Sequence, residues 1–260
     1  MFRRFFSSSR SIARGQPGWR AYVIGDVHGC LDLLDRLLSE IADDHTVRGP
    51  ARGLIVLLGD LIDRGPDSAG VLKRLRELDL AGFRVVGLAG NHEEVLLKIL
   101  AGDPTEVGGW LRFGGAETLQ SYGADPAALD ALSPAAAQRR IAAIVPAEDR
   151  HFLEQFADSM RFGDYFLVHA GIRPGVPTDQ QTLRDLRWIR EPFLTDTRDH
   201  GVVVVHGHTI SEKVEVLGSR IGIDTGAYAT GRLTALGIEG DKRWLIDTVD
   251  GLHQGDDRLV

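Results

Sequence analysis

The sequence predicts an α/β protein, α+β by stricter naming, in which two facing mixed β-sheets form a sandwich flanked by helices. Three observations carry this prediction. Over the first 100 residues, short β-branched apolar runs alternate with segments of helical apolar spacing. From about residue 103 to 160 that alternation stops, and alanine-rich stretches punctuated by proline take over. Beyond that, apolar runs return and follow one another with short connections.

In chain order, Tyr22–Ile24, Leu54–Leu58 and Val85–Leu88 read as buried strands by length and β-branching. Between them, Leu31, Leu34, Leu37, Leu38 and Ile41, then Val71, Leu72, Leu75 and Leu78, mark the apolar faces of two amphipathic helices. Strand, helix, strand, helix, strand implies right-handed crossovers and a parallel sheet core. Pro104, Pro126, Pro134 and Pro146 divide the middle into short helices without a convincing strand, an insertion at about 103–160. Further strands are expected at Tyr165–Val168, Val202–Val205, Val214–Leu217, Arg220–Ile223, Leu233–Ile238 and Arg243–Ile246. Glu239-Gly240-Asp241 reads as a hairpin turn, so this half should hold antiparallel strands.

Length and composition narrow the possibilities. A chain of 260 residues, 43% hydrophobic and 26% charged, has ample material for one large core. No apolar run approaches the ~20 residues of a membrane span, so no membrane partner is expected. The formal net charge is −7, although residues 1–20 carry five arginines and no acid, so the remainder is more acidic still. An acidic body argues against nucleic acid and suggests carboxylates gathered for cations. The single cysteine, Cys30, forbids an internal disulfide and fits a reducing, cytoplasmic setting. Residues 1–20 are expected as a disordered basic tail, with a transit-like composition but no apolar h-region, and 21–260 as one domain.

The chemistry is expected at strand ends. Five apolar strands run into Gly25-Asp26-Val27-His28-Gly29, Gly59-Asp60-Leu61-Ile62-Asp63-Arg64-Gly65, Gly90-Asn91-His92-Glu93, Val168-His169-Ala170-Gly171 and His206-Gly207-His208-Thr209. Carboxyl ends of neighbouring strands open onto one crevice, so these distant loops should converge. Taken singly, Asp26 or Asn91 could cap a helix, His169 could be a satisfied core histidine, and Arg64 a surface charge. Together they make a mixed oxygen and nitrogen ligand set that suits manganese, iron or zinc. His45, His151, His200 and His253 lie outside every cluster and are read as surface or structural residues. His208 is preferred to His206 as a ligand, with His206 behind it. Cys30 follows the first cluster at a helix start, where redox sensing is weighed against a packed core role.

These five clusters, in this order, resemble the signature motifs of the metallophosphoesterase superfamily, specifically phosphoprotein phosphatases of bacterial and phage type, from about Ala21 to Ile246. The resemblance implies the calcineurin-like metallophosphoesterase fold and a dinuclear metal centre, manganese first. It implies Asp26 and His28 on the first metal, Asp60 bridging, and Asn91, His169 and His208 on the second. His92 becomes the acid, oriented by Asp63. Arg64 and Arg190, the latter within Arg187-Trp188-Ile189-Arg190-Glu191, clamp the phosphoryl oxygens, with Asn91 also at the substrate. Related dinucleoside tetraphosphate hydrolases tend to have alanine at Asp63 and aspartate at Glu93, so the residues here favour the phosphatase. Ile223-Asp224-Thr225-Gly226 and Gly231-Arg232-Leu233-Thr234 resemble the family's strand beyond the last histidine.

The expected activity is metal-dependent hydrolysis of phosphoserine or phosphothreonine in proteins or peptides by a metal-bridging hydroxide. The arginines would neutralise charge on the phosphoryl oxygens, and His92 would protonate the leaving alkoxide. The alternative is a symmetrical dinucleoside tetraphosphate hydrolase. A catalytically silent phosphoprotein-binding module would lack Asp60, Arg64 or His92, and all three are present. Trp110, Phe113 and the Gly114-Gly115 pair lie where such proteins differ most, and their sequence context is equally that of helix packing and a turn.

Overall fold

The computed structural model describes residues 12–249. Two five-stranded sheets face each other. The first has the order β10-β9-β1-β2-β3, from β1 (Trp19–Ile24), β2 (Arg52–Leu57), β3 (Phe83–Gly87), β9 (Thr234–Glu239) and β10 (Lys242–Asp247). Its β1, β2 and β3 are parallel, while β9 runs antiparallel to both β1 and β10. The second has the order β4-β5-β6-β8-β7, from β4 (Ser159–Phe162), β5 (Tyr165–Val168), β6 (Val203–His206), β7 (Glu215–Leu217) and β8 (Arg220–Gly222). Here β5, β6 and β8 are parallel, with β4 and β7 antiparallel at the two edges.

The two-residue alternation of a strand sorts its side chains into different cores. Ala21 and Val23 of β1, with Leu54 and Val56 of β2, meet Tyr165, Leu167, Val205 and Ile221 between the sheets. Their neighbours Tyr22, Ile24, Ile55 and Leu57 point outward into a second core. That core is closed by α1 (Leu31–Val47), α2 (Ser68–Arg76), α3 (Asn91–Leu100) and α6 (Pro134–Ile144). Both strand faces are therefore buried, which is why these strands read as continuous apolar runs. Phe166, Val168 and Val204 cover the far side of the second sheet against Leu186, Ile189 and Phe193.

The helical stretch contains α4 (Val107–Trp110), a widened π-type turn Leu111–Gly115, α5 (Ala116–Ser121), α6 and α7 (Ala147–Glu154). The sequence reading missed β4 at its end, a four-residue edge strand whose pairing with β5 is a long-range fact that no local pattern announces. The hairpin at Gly240-Asp241 joins β9 to β10 as expected from the turn residues.

The N-terminal boundary needs correction. Arg20, assigned to the basic tail, is buried within β1, where Nε donates to Glu239 Oε2 at 2.9 Å and Nη1 donates to the His45 carbonyl at 2.8 Å. Just before it, Gly15 N–H donates to the Gly240 carbonyl at 2.7 Å, and Arg14 N–H to Asp164 Oδ2 at 2.8 Å. The rest of the expected tail, residues 1–11, lies outside the described residues, as does His253.

Candidate active site

Every cluster expected at a strand end sits in a loop at the carboxyl end of its strand, and the loops meet. Their backbone conformation is unusual. Five non-glycine residues have positive φ among the described residues: His28 at 44°, Asp60 at 48°, Asp63 at 72°, Arg64 at 69° and His208 at 63°. All five were singled out for the site. Left-handed conformations cost a non-glycine residue on the order of 1 kcal/mol or more, so such strain persists where surrounding contacts over-determine it.

Those contacts are visible. Glu93, fully buried in the first turn of α3, accepts from Asp60 N–H at 2.8 Å, Leu61 N–H at 2.7 Å and Gly90 N–H at 2.9 Å. Its carboxylate thereby ties the loop after β2 to the loop after β3. Asp60 Oδ1 in return accepts from His92 N–H at 3.1 Å, and Asp26 Oδ2 accepts from His208 N–H at 3.0 Å. Neither Asp26 nor Asn91 caps a helix with its side chain, since Cys30 and Gly90 hold the cap positions of α1 and α3.

Two imidazoles turn unprotonated ring nitrogens toward the Asp60 carboxylate. His28 Nδ1 contacts the Ile62 carbonyl at 2.8 Å and His169 Nδ1 the Leu58 carbonyl at 2.9 Å. A carbonyl accepts only, so in each case Nδ1 is the protonated nitrogen and Nε2 keeps a lone pair. These two Nε2 atoms lie 3.7 and 3.4 Å from Asp60 Oδ2. His169 Nε2 is also 3.0 Å from Asn91 Oδ1. Acceptor facing acceptor in a buried site is repulsive unless a cation lies between. Among the described residues, two sets of side chains can each hold a metal ion, His28 with Asp60 and His92, and Asp60 with His169 and His208. Asp60 belongs to both. Asp26 Oδ1 and His208 Nε2 are buried without a hydrogen-bond partner, as expected of atoms that await an ion. The residues therefore fit divalent metal.

Electrostatics agree. Burial and the nearby Asp224 and Asp60 charges push the Asp26 carboxyl well up, and burial with the Asp60 charge raises Glu93 to about 7. Burial raises Asp224 to about 6. Burial would also raise Asp60, but the imidazoles of His169, His92, His28 and His208 hold it below the carboxylate range. Crowded carboxylates of this kind are relieved by a cation. Burial lowers His28 and His208 to about 3, leaving both neutral as ligation requires. His92 differs. Burial opposes its charge, yet the Asp60 charge and the hydrogen bond that His92 donates to Asp63 raise it above an ordinary imidazole.

The calcineurin-like phosphoesterase family profile matches residues 20–235. The chain belongs to that family. It is 42% identical over 98 residues to serine/threonine-protein phosphatase 1 of Salmonella typhimurium, a match covering 37% of this chain and 40% of that protein. It is also 44% identical over 81 residues to the symmetrical bis(5'-nucleosyl)-tetraphosphatase of Serratia proteamaculans, covering 31% of this chain and 26% of the relative. The matched stretches are thus well under half of either relative. Among solved structures, a putative diadenosine tetraphosphatase superposes with a TM-score of 0.64 at 21% identity, covering 93% of this chain and 100% of the other. A cold-active protein tyrosine phosphatase does so at 0.58 and 21%, covering 90% and 82%. At that identity the likeness is one of fold.

In this phosphoesterase a pocket of about 300 Å³ opens over the metal-competent groups, with Arg64, Asn91, His92, Arg190 and His208 on its wall. Arg64 Nη1 donates to His28 Nε2 at 3.1 Å, and its guanidinium lies 5.1 Å from the Tyr228 ring centroid. Phe113, Trp188 and Tyr228 are the exposed aromatics among the described residues; Phe113 and Trp188 line the pocket, and Tyr228 sits against Arg64 and His28. His206 points elsewhere, with Nε2 at 3.3 Å from Arg220 Nη1 and its ring against Phe193. The positive φ at His208 breaks the alternation that would have put both histidines on one side. His45, His151 and His200 contact Arg20, Gln155 and Phe193, away from the pocket. Burial pushes the Cys30 thiol up to about 11, against redox activation at the helix start.

Sequence reasoning missed the supports of Asp63. Trp110 Nε1–H, Thr118 Oγ1–H and the Ser68 hydroxyl all gather around it. No local motif marks them, because their spacing from Asp63 is set by the tertiary path of the helical stretch.

Proposed function

We propose that this phosphoesterase is a metal-dependent phosphomonoester hydrolase acting on phosphoserine or phosphothreonine in proteins or peptides. The observation that carries the reading is the pair His92 Nδ1 and Asp63 Oδ2, 2.7 Å apart and buried beside the phosphoryl pocket. A serine or threonine alkoxide is a poor leaving group and needs a proton in the transition state. Asp63 holds one imidazole nitrogen, which directs His92 Nε2 toward the pocket and favours the protonated ring. Aspartate here, with Glu93 rather than aspartate, sets this chain apart from the pattern of dinucleoside tetraphosphate hydrolases.

Asp26, His28 and Asp60 would hold one divalent ion, and Asp60, Asn91, His169 and His208 a second, with manganese preferred and iron or zinc as alternatives. Such ions, when bound, make water acidic enough to attack at neutral pH and neutralise charge on phosphoryl oxygens. Arg64 and Arg190 would grip the remaining oxygens through charge-assisted hydrogen bonds, orienting phosphorus for attack opposite His92. His92 would then deliver its proton to the departing oxygen. The single, buried cysteine suits a cytoplasmic setting.

The tetraphosphatase reading is favoured by the Serratia relative. The deciding experiment sets a phosphoserine peptide beside diadenosine tetraphosphate, with manganese and after chelation. The phosphatase reading expects the peptide to have the larger kcat/KM and chelation to abolish both activities. A larger kcat/KM for the dinucleotide would overturn it.

A further inference from the structure

We propose that Trp110, together with Thr118, is a positioning residue for the proton-donating pair His92 and Asp63, and that Gly114 and Gly115 are the means by which it is seated. The inference rests on the role given to that pair above. Trp110 is 3% exposed and aims its one donor at a buried carboxylate, with Nε1 at 2.9 Å from Asp63 Oδ2 and 3.1 Å from Oδ1. Spanning both oxygens, the indole N–H sets the rotation of the carboxyl group. Thr118 Oγ1–H then donates to Oδ1 at 2.6 Å, which leaves Oδ2 for His92. Oδ1 is thus held by the two structural donors alone, while Oδ2 takes both the indole N–H and the imidazole. A tryptophan required only for packing has no need to place its N–H there, and a phenylalanine would fill the same space.

The backbone around Trp110 is shaped to deliver it. The widened turn Leu111–Gly115 interrupts regular helix, a feature that clusters at functional sites. Within it Gly114 has φ 117°, and its carbonyl accepts from Arg64 N–H at 3.1 Å. A Cβ on Gly114 would strike the Arg64 backbone nitrogen, and one on Gly115 would strike the Trp110 ring. The same five residues therefore hold both the phosphate-binding arginine and the support of the acid. Phe113, at the centre of the turn, is 66% exposed and lines the pocket. A segment unreadable in the sequence thereby joins the substrate's surroundings to the proton donor.

The test compares the metal-reconstituted full chain with Trp110→Phe, Thr118→Val and Gly115→Ala on a phosphoserine peptide and on 4-nitrophenyl phosphate, whose leaving group needs little protonation. Trp110→Phe is expected to lower kcat for the peptide roughly tenfold more than kcat for the aryl ester, as loss of one hydrogen bond to a charged group would. KM for the peptide should change far less than kcat. A second readout is independent of turnover: in metal-free protein the Nδ1 proton of His92 should resonate far downfield, and Trp110→Phe should move or broaden it. Equal losses on the two substrates with an unmoved proton signal would reduce Trp110 to packing and overturn the proposal. If Trp110→Phe fails to fold, Thr118→Val carries the same expectation with a smaller change of volume. Should Asp63→Ala show the leaving-group dependence while Trp110→Phe and Thr118→Val do not, this inference alone is wrong. Should none show it, the role of the pair itself fails.

Discussion

The loop after β2 and the segment carrying Arg190 reach the same pocket, and they are built in opposite ways. In the loop, Asp60, Asp63 and Arg64 are all left-handed, and their main-chain N–H groups are taken by Glu93, by Ser68 and Thr118, and by the Gly114 carbonyl respectively. Around Arg190, Leu186, Ile189 and Phe193 anchor the segment in the core, but the arginine itself is exposed. No hydrogen bond or ion pair joins its guanidinium to another described side chain. One region is strained and pre-positioned, while the other offers a charge on a long side chain whose freedom is lost on binding. Groups fixed before the reaction lower its barrier, whereas groups ordered by substrate act largely through affinity.

The largest expected effect comes from the most constrained residue. Asp60→Asn removes charge from the carboxylate shared by both metal-competent sets. The rate should fall by more than the roughly 10–100-fold that losing a supporting partner costs a metal site. Metal analysis after reconstitution with excess manganese and desalting should give about two equivalents for the parent, as a dinuclear site requires, and fewer for the variant. His45→Gln, at the opposite end of β1, should alter neither. A clean single equivalent with full activity would remove the dinuclear reading.

Next in size is the pair beside it. Asp63→Ala should slow phosphoserine hydrolysis by roughly 10²–10⁴-fold, the span of general acid catalysis, with a much smaller loss on 4-nitrophenyl phosphate. His92→Ala should show the same dependence, and the double variant should be little worse than either. Metal content should survive Asp63→Ala, since this carboxylate is engaged by Trp110, Thr118 and His92. Equal losses on both esters would make Asp63 a structural partner of its loop.

The contrast itself is tested at Arg190. Arg190→Ala should raise KM for the phosphopeptide by about tenfold or more, the worth of a charge-assisted hydrogen bond, with a smaller fall in kcat. Arg64→Ala should depress kcat more than Arg190→Ala does, because Gly114 fixes the Arg64 backbone before substrate arrives. Matching KM and kcat changes at the two arginines would erase the distinction between the regions.

What was legible in the sequence follows the same division. Asp26, Asp60, Asn91, His92, His169 and His208 could be read because their residue types are demanded by chemistry and each stands directly after an apolar strand. The sandwich could be read from strands apolar on both faces and from the turn between β9 and β10. Trp110, Thr118 and Ser68 could not, since what matters about them is a contact with Asp63 made across 47, 55 and 5 residues. Asp224 shows the intermediate case: its motif was noted, but only its burial, with the Asp60 charge nearby, reveals why its carboxyl is raised. Arg20 was misplaced because a run of arginines at a chain start looks like a tail, and its partner Glu239 is 219 positions away.

The smallest effect on activity is expected at the far end of the sheet. Strand β1 runs six residues from Trp19 to Ile24, so the chain before it lies roughly 20 Å from the pocket at ~3.3 Å per residue. Residues 13–15 are nonetheless bonded to the body: Arg14 N–H donates to the Asp164 carboxylate, the Arg14 carbonyl accepts from Asp164 N–H, Gly15 N–H donates to the Gly240 carbonyl, and the Ala13 carbonyl accepts from Tyr165 Oη. Gly15 packs so closely on Phe162 and Ile238 that a Cβ there would press on both. Removing residues 1–18 should therefore leave kcat/KM per folded molecule unchanged. At a net worth of about 1 kcal/mol for each of these four hydrogen bonds, the melting temperature should fall by roughly 8–16 °C. A thermal melt alongside kinetics well below the transition separates the two effects. An unchanged melting temperature would return residues 12–18 to the status of a tail. A fall in kcat/KM of the folded fraction would mean that strain at the carboxyl end of β1 is sustained from its amino end, and the site would then be less self-contained than the contacts around Asp60 and Asp63 imply.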